Sequence, residues 1–248
     1  MSSLKHIRIV IILLAAASFT PAARAAAVYN AAKDFSLSAN PRGAWSYGYE
    51  DQLGGPLNLY DVPTAGWRDA PNLDAWTSSA LDVDPNISHN RTTSELSFLG
   101  DSIHVPANGL TIHPGPSGEP SVLRWTAPTP GRYQVTAAFR GNDQTGPTTD
   151  VHVLHNGTSL FSGEVTAYGA GPSFTRAVTV QIGDTIDFAV GRGSNADYSF
   201  DSTGVSATIT SLPEPVAVVA PLFTAFALLH RRRSSSPGAR TTNPDSGG

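Results

Sequence analysis

The sequence predicts an all-β protein: an antiparallel β-sandwich between an N-terminal signal helix and a short C-terminal hydrophobic helix. Three observations predict it. Between residues 28 and 212 no stretch sustains a helical apolar period, whereas several runs alternate apolar and polar residues. Turn pairs such as Asn156-Gly157 separate those runs, and a type I′ hairpin turn needs φ > 0 at both central positions, which Asn and Gly tolerate. The runs also recur at the spacing of about 8–12 residues found in sandwiches.

Residues 1–27 read as a signal peptide. Lys5, His6 and Arg8 form a basic start, residues 9–19 are apolar or small, and Ala23-Arg24-Ala25 or Ala25-Ala26-Ala27 offers a cleavage site. The apolar run is shorter than the about 20 residues of a membrane span. The mature, exported chain is expected to begin near Ala26 or Val28.

Residues 28–211 are expected to form the sandwich. Its first stretch, 34–120, reads as loop-rich. In "NPRGAWSYGYE" Trp45, Tyr47 and Tyr49 alternate, and "GGPLNLYD" reads as a further strand. Residues 66–91 are rich in Asn, Asp, Pro and Ser, with Trp67 and Trp76 embedded. They read as long loops whose apolar content is too thin for a core of their own.

The second stretch, 121–210, reads as regular strands. "SVLRWTAPTPG" opens it, with Leu123 and Trp125 on the core face. "RYQVTAAF" places Tyr133, Val135, Ala137 and Phe139 on one face. "TTDVHVLHNGTSLFSG" reads as a hairpin about Asn156-Gly157. In "AVTVQIGDTIDFAV", Val178, Val180 and Ile182 point one way, Gly183-Asp184 turns, and Ile186, Phe188 and Val190 point back. "GVSATIT" closes the set.

The C-terminal stretch, 212–233, reads as a sorting or anchor segment. The triplet Pro213, Glu214, Pro215 precedes 14 largely apolar residues, 216–229, interrupted by Pro221 and Thr224. At about 1.5 Å per residue such a helix covers roughly 21 Å of a hydrocarbon core about 30 Å thick, a poor permanent span. Arg231, Arg232 and Arg233 follow and suit a cytoplasmic end. Residues 234–248 are Ser-, Pro- and Gly-rich, the composition of a disordered tail.

This triplet, apolar run and arginine cluster together resemble the PEP-CTERM sorting signal of Gram-negative-type bacteria. The resemblance implies processing by a membrane-embedded, exosortase-like enzyme. It also implies transient residence in the inner membrane through the C-terminal transmembrane segment, then delivery to the cell surface or an extracellular matrix rich in exopolysaccharide. The tail after the arginines departs from the family pattern. Asn40-Pro41, Trp45-Ser46-Tyr47-Gly48, residues 110–115, "RWTAP" and "FDSTG" resemble a secreted β-sandwich group similar to jelly-roll carbohydrate-binding modules. That likeness implies a jelly-roll-like sandwich and no particular activity.

Charge narrows the partners. Residues 28–212 hold nine Lys and Arg against 18 Asp and Glu, a net charge of −9. Such a surface repels phosphate backbones, so no nucleic-acid partner is expected. The chain has no cysteine, which removes thiolate metal sites and cysteine nucleophiles.

The candidate chemistry is sparse. His104, His113, His152 and His155 read as ordinary polar surface, since no HExxH spacing occurs. His152 shares the outward face of its strand with Asp150, while His155 abuts the turn. No serine sits in a G-x-S-x-G elbow. "GRGSNA" matches a dinucleotide fingerprint loosely, but "DYSFDSTG" after it cannot open the helix a pyrophosphate needs. Asn142, Asp143 and Asp150, and Asn195, Asp197 and Asp201, crowd two loops. Hard oxygen ligands of this kind suit a structural calcium, and they are equally the default residues of turns. The triplets at Asn86, Asn90 and Asn156 are glycosylation acceptors only in a eukaryotic secretory route, which the sorting-signal resemblance argues against.

Aromatic side chains remain as ligand-binding candidates. A sugar ring is apolar on its C–H faces and polar at its rim, which suits flat aromatics beside Asn, Asp and Arg. Trp67, Trp76 and Tyr168 lie in polar loops, and Trp45 and Tyr47 at a strand that is either core edge or surface. The function expected is an exported, non-catalytic module associated with carbohydrate or exopolysaccharide. The rivals are a purely structural surface protein and a hydrolase on a lectin-like fold, which needs paired carboxylates about 5–10 Å apart.

Overall fold

In a computed structural model, which describes residues 25–213, the alternating runs become sixteen strands and one short helix. The first stretch gives β1 (Val28–Asn30), α1 (Ala31–Asp34), β2 (Trp45–Tyr49), β3 (Asn58–Leu59), β4 (Val62–Thr64), β5 (Leu73–Thr77), β6 (Asn86–Asn90), β7 (Leu96–Phe98), β8 (Ile103–Val105) and β9 (Leu110–His113). The second gives β10 (Ser121–Thr126), β11 (Gly131–Gly141), β12 (Thr149–His155), β13 (Thr158–Val165), β14 (Ser173–Val180), β15 (Thr185–Gly191) and β16 (Thr203–Ser211).

From β9 onward the chain distributes its strands over two antiparallel sheets, in the spatial orders β9-β16-β11-β14 and β10-β15-β12-β13. That interleaving of eight strands is a jelly roll, two Greek keys wound together. The first stretch widens both sheets. Strands β6, β5 and β4 continue the first beyond β9, while β2 and β3 continue the second beyond β10. β1 pairs with β16.

The main core lies between the inner faces. β11 contributes Tyr133, Val135, Ala137 and Phe139, as its alternation predicts, and β2 contributes Trp45, Tyr47 and Tyr49. Leu123 and Trp125 of β10 and Ile186, Phe188 and Val190 of β15 face them. Odd–even parity sends Arg124 to the opposite face, where it donates to Asp187 Oδ1 and Oδ2 (2.6 and 2.9 Å) and to Glu50 Oε1 (3.0 Å). Both carboxylates are buried, so the guanidinium between them offsets a desolvation that neither could bear alone.

The Asn156-Gly157 hairpin forms between β12 and β13, with φ of 50° and 75° at the two residues. The turn at Gly183-Asp184 differs from expectation. It joins β14 in one sheet to β15 in the other, so it is a crossover at the rim of the sandwich rather than a hairpin within one sheet. Ile182, expected to share the face of Val178 and Val180, is therefore 71% exposed at that corner.

The flanking helices need correction. The helix among the described residues is α1, four residues long, capped by Asn30 Oδ1 accepting from Lys33 N (3.0 Å) and by Asp34 Oδ2 accepting from Asn30 N (2.9 Å). The expected signal helix falls on residues 1–27 and the expected C-terminal helix on 212–233, almost wholly outside the described residues. No helix among the described residues is long and apolar enough to cross a membrane. The transmembrane helix, the membrane as a partner through the C-terminal segment, and transient inner-membrane residence thus find no support in the described structure and are not carried further. Of the sorting triplet only Pro213 is described; Glu214, Pro215 and Arg231, Arg232 and Arg233 lie outside.

Residues 66–105 do assemble a small core of their own, on the outer face of the first sheet. β7 and β8 form a separate two-stranded ribbon. Its Phe98, Ile103 and Val105 pack with Trp67 and with Leu73 and Ala75 of β5. The ribbon is pinned by the buried Asn90 side chain, whose Nδ2 donates to Ser94 O (2.8 Å) and Val105 O (3.1 Å). A backbone bond from His104 N to Asn142 O (2.9 Å) holds its other side.

Candidate functional site

The ribbon leaves a cleft of about 380 Å³ between itself and the outer face of the first sheet. Strand parity builds the floor. Ile87 of β6 and Ile112 of β9 point into the main core, so their neighbours Asn86, Ser88, Thr111 and His113 point outward. The register sets Ser88 opposite Thr111 and Asn86 opposite His113, and all four line the cleft. Ser88 and Thr111 are 0% and 3% exposed, and neither hydroxyl has a hydrogen-bond partner. A buried hydroxyl left unpaired is unfavourable by roughly 1–3 kcal/mol.

Carboxylates stand beside the floor. Asp84 lies near His113, with Oδ1 to Nδ1 at 3.7 Å, and is paired with Arg68 at 3.3 Å. Asp143 is buried, accepts from Ser102 Oγ (2.9 Å), and has its carboxyl pushed up by burial. Asp201 lies between the lining residues Phe200 and Ser202 in sequence. Burial raises its carboxyl from 3.8 to about 6, against the pull of a hydrogen bond from Thr148 N (2.9 Å). Its Oδ2 has no partner.

The walls are aromatic and apolar. Trp67 packs against Phe98, ring centres 6.3 Å apart, with the Arg68 guanidinium 4.4 Å over its ring. Tyr198 meets His113 edge to face at 5.9 Å. Leu99 and Phe200 at the mouth are 42% and 48% exposed. Arg68, Leu99 and Phe200 all hold left-handed backbone, φ 56°, 50° and 66°. Non-glycine residues keep such conformations only where their surroundings over-determine them.

Of the aromatic candidates, Trp67 alone lines this cleft. Trp45, Tyr47 and Trp76 are buried in the main core. Trp76 stacks on Tyr47 at 6.4 Å and donates from Nε1 to Ser36 O (2.9 Å); Trp45 donates to Asp34 Oδ2 (3.1 Å). Tyr168, 39% exposed, stands apart with Arg140 5.7 Å from its ring and His104 edge-on at 5.7 Å. His113, read as ordinary polar surface, and Asn86, read only as a glycosylation triplet, prove to be floor residues. Their signal was the polar alternation against Ile87 and Ile112.

Two other clusters carry less. His152 bridges Asp150 (2.7 Å) and Ser162 (3.0 Å) across β12 and β13. This relay joins neighbouring strands on the outer face of their sheet, and none of its members lines the cleft. Among the described residues no group of three or more His, Asp or Glu could hold a metal ion. Of the loop carboxylates named for calcium, Asp197 caps its own turn, accepting from Ser199 N (3.0 Å), while Asp150 ties β12 to the distant Gly193 N (2.6 Å).

No family model and no curated protein matches the chain. The resemblance to the PEP-CTERM family is corrected on that ground, and the exosortase-like enzyme leaves the list of partners. Among solved structures the chain is similar to a CBM51 from Clostridium perfringens GH95 in complex with methyl-galactose, at 15% identity over 50% of this chain and 87% of that one, TM-score 0.34. It is similar to a family 35 carbohydrate binding module from Clostridium thermocellum at 14% identity over 57% and 89%, TM-score 0.29. It is also similar to Pika GITRL at 18% identity over 38% and 74%, TM-score 0.25. Likenesses this distant carry no argument about ligand.

Proposed function

We propose that the protein is a non-catalytic carbohydrate-associated module and that its ligand sits in the cleft beneath the β7–β8 ribbon. The observation that carries this reading is the pairing of an unsatisfied polar floor with an aromatic wall. Ser88 and Thr111 offer hydroxyls with no internal partner, and Asn86, Asp84 and Asp143 stand beside them with donors and acceptors. A saccharide hydroxyl, both donor and acceptor, satisfies such groups. The ring of Phe200, 48% exposed, suits the C–H face of a sugar ring, and Trp67 adds apolar wall behind it. A cleft of about 380 Å³ falls in the usual range of small-ligand sites, roughly 300–1,000 Å³.

A glycan array probed with the whole protein tests the reading. At least one saccharide is expected to be retained, with affinity reduced about three- to tenfold in Thr111→Val, the worth of one neutral hydrogen bond. Because the Thr111 hydroxyl has no partner in the fold, the same variant is expected to keep or raise its thermal midpoint. Phe200→Ala is expected to weaken binding without unfolding, since its ring is half exposed. A protein that retains no glycan, or variants that bind like the parent, would refute the proposal.

A further inference from the structure

The cleft is electrostatically lopsided, and that selects among sugars. Asp84 and Asp143 line it, and Arg68 is the one Lys or Arg lining it among the described residues. Arg68 is already committed to Asp84 at 3.3 Å. Asp143 has a neutral hydroxyl, Ser102 Oγ, as its close partner at 2.9 Å. Asp201, fully buried, keeps one oxygen without a partner. The same region holds the unpaired Ser88 and Thr111 hydroxyls, 0% and 3% exposed, which mark the cavity as built for a polar occupant independently of its acids.

Resting on the carbohydrate reading, we propose that the cleft favours saccharides bearing a free amine, such as glucosamine units, and disfavours uronic acids. An ammonium beside Asp143 would neutralise a buried carboxylate that has His113 as its nearby base and no Lys or Arg paired with it among the described residues, while hydroxyls of the same ring reach Ser88 and Thr111. A carboxylate on the ligand would instead meet Asp84 and Asp143 in a partly desolvated space, where like charges repel most strongly. Burial, which already pushes the Asp143 carboxyl up, is the unfavourable condition that a ligand cation relieves.

Titration calorimetry at pH 7, in buffer containing a chelator, tests this with three short oligosaccharides: glucosamine, N-acetylglucosamine and galacturonate. The glucosamine oligomer is expected to bind about tenfold tighter than the acetylated one, the scale of one charge-assisted hydrogen bond, with galacturonate weakest. Asp143→Asn and Asp84→Asn are each expected to shrink the preference for the amine. Tighter binding of the acetylated or acidic sugar overturns the charge inference and leaves the carbohydrate reading standing. An amine preference that survives both substitutions also overturns it, since attraction to the acidic surface at large would then explain the result. Failure of all three sugars, together with an empty glycan array, overturns both.

Discussion

Asp201 shows how one side chain links the fold to pH. It is fully buried, anchored by Thr148 N on one oxygen and unpartnered on the other. Its carboxyl rises from 3.8 to about 6, chiefly through burial. Between those values the folded protein holds a proton that the unfolded chain releases, so this group's contribution to stability falls as pH rises through about 6. Asp201→Asn keeps an oxygen for Thr148 and removes the buried charge. It is expected to stabilise by about 1–3 kcal/mol at pH 7, with the advantage vanishing near pH 4. Thermal melts of both proteins across that range check it; a variant less stable at pH 7 would mean the charged carboxylate is needed. Nothing in "FDSTG" announces this burial. An aspartate in a Ser/Asp/Gly loop reads as a turn residue, and only the closure of residues 148 and 200–202 over it removes the solvent.

Strands were more legible than their partners. Alternation in "RYQVTAAF" and the Asn-Gly pair after "VLH" depend on neighbours within a few residues, and β11 and the β12–β13 hairpin follow them. The β14–β15 corner departs from the expected hairpin because the same two runs fit a hairpin or a crossover equally well. The pairing of β14 with β11 and of β15 with β10 decides between them, and such pairing is not a local property. The β7–β8 ribbon is not legible in the sequence for a related reason. Its apolar residues are few, and they bury against Trp67, Leu73 and Ala75 from outside the run. Phe98→Ala is expected to cost about 3–5 kcal/mol locally. Amide exchange should accelerate across residues 96–105 while β11 and β16 stay protected. Uniform loss of protection would instead make the ribbon part of one cooperative unit with the jelly roll.

At the largest scale, the described residues form a jelly roll whose sheets are each widened by the first part of the chain. That widening is what makes a site. β6 beside β9 extends the first sheet, and the ribbon then overhangs the extension instead of water. Polar residues that alternation would assign to a solvated face are thereby enclosed. "NISHN" and "LTIH" therefore look like unremarkable strand or loop from sequence, and only the assembled sheet shows that Ser88 and Thr111 face a cavity. Four of the five aromatic candidates proved buried because the sandwich needs large rings to fill it: Trp45 and Tyr47 sit in its centre, Trp76 beside them and Trp67 at the satellite core. The most direct test of the central claim is an amide chemical-shift map of the protein titrated with the saccharide that binds best. Perturbations should concentrate at residues 67–68, 84–88, 98–103, 111–113, 143 and 198–202, and should fade in Thr111→Val. Shifts clustered instead around Tyr168 or on the outer face of β12 and β13, or no shifts at saturating sugar, would contradict the assignment of this cleft.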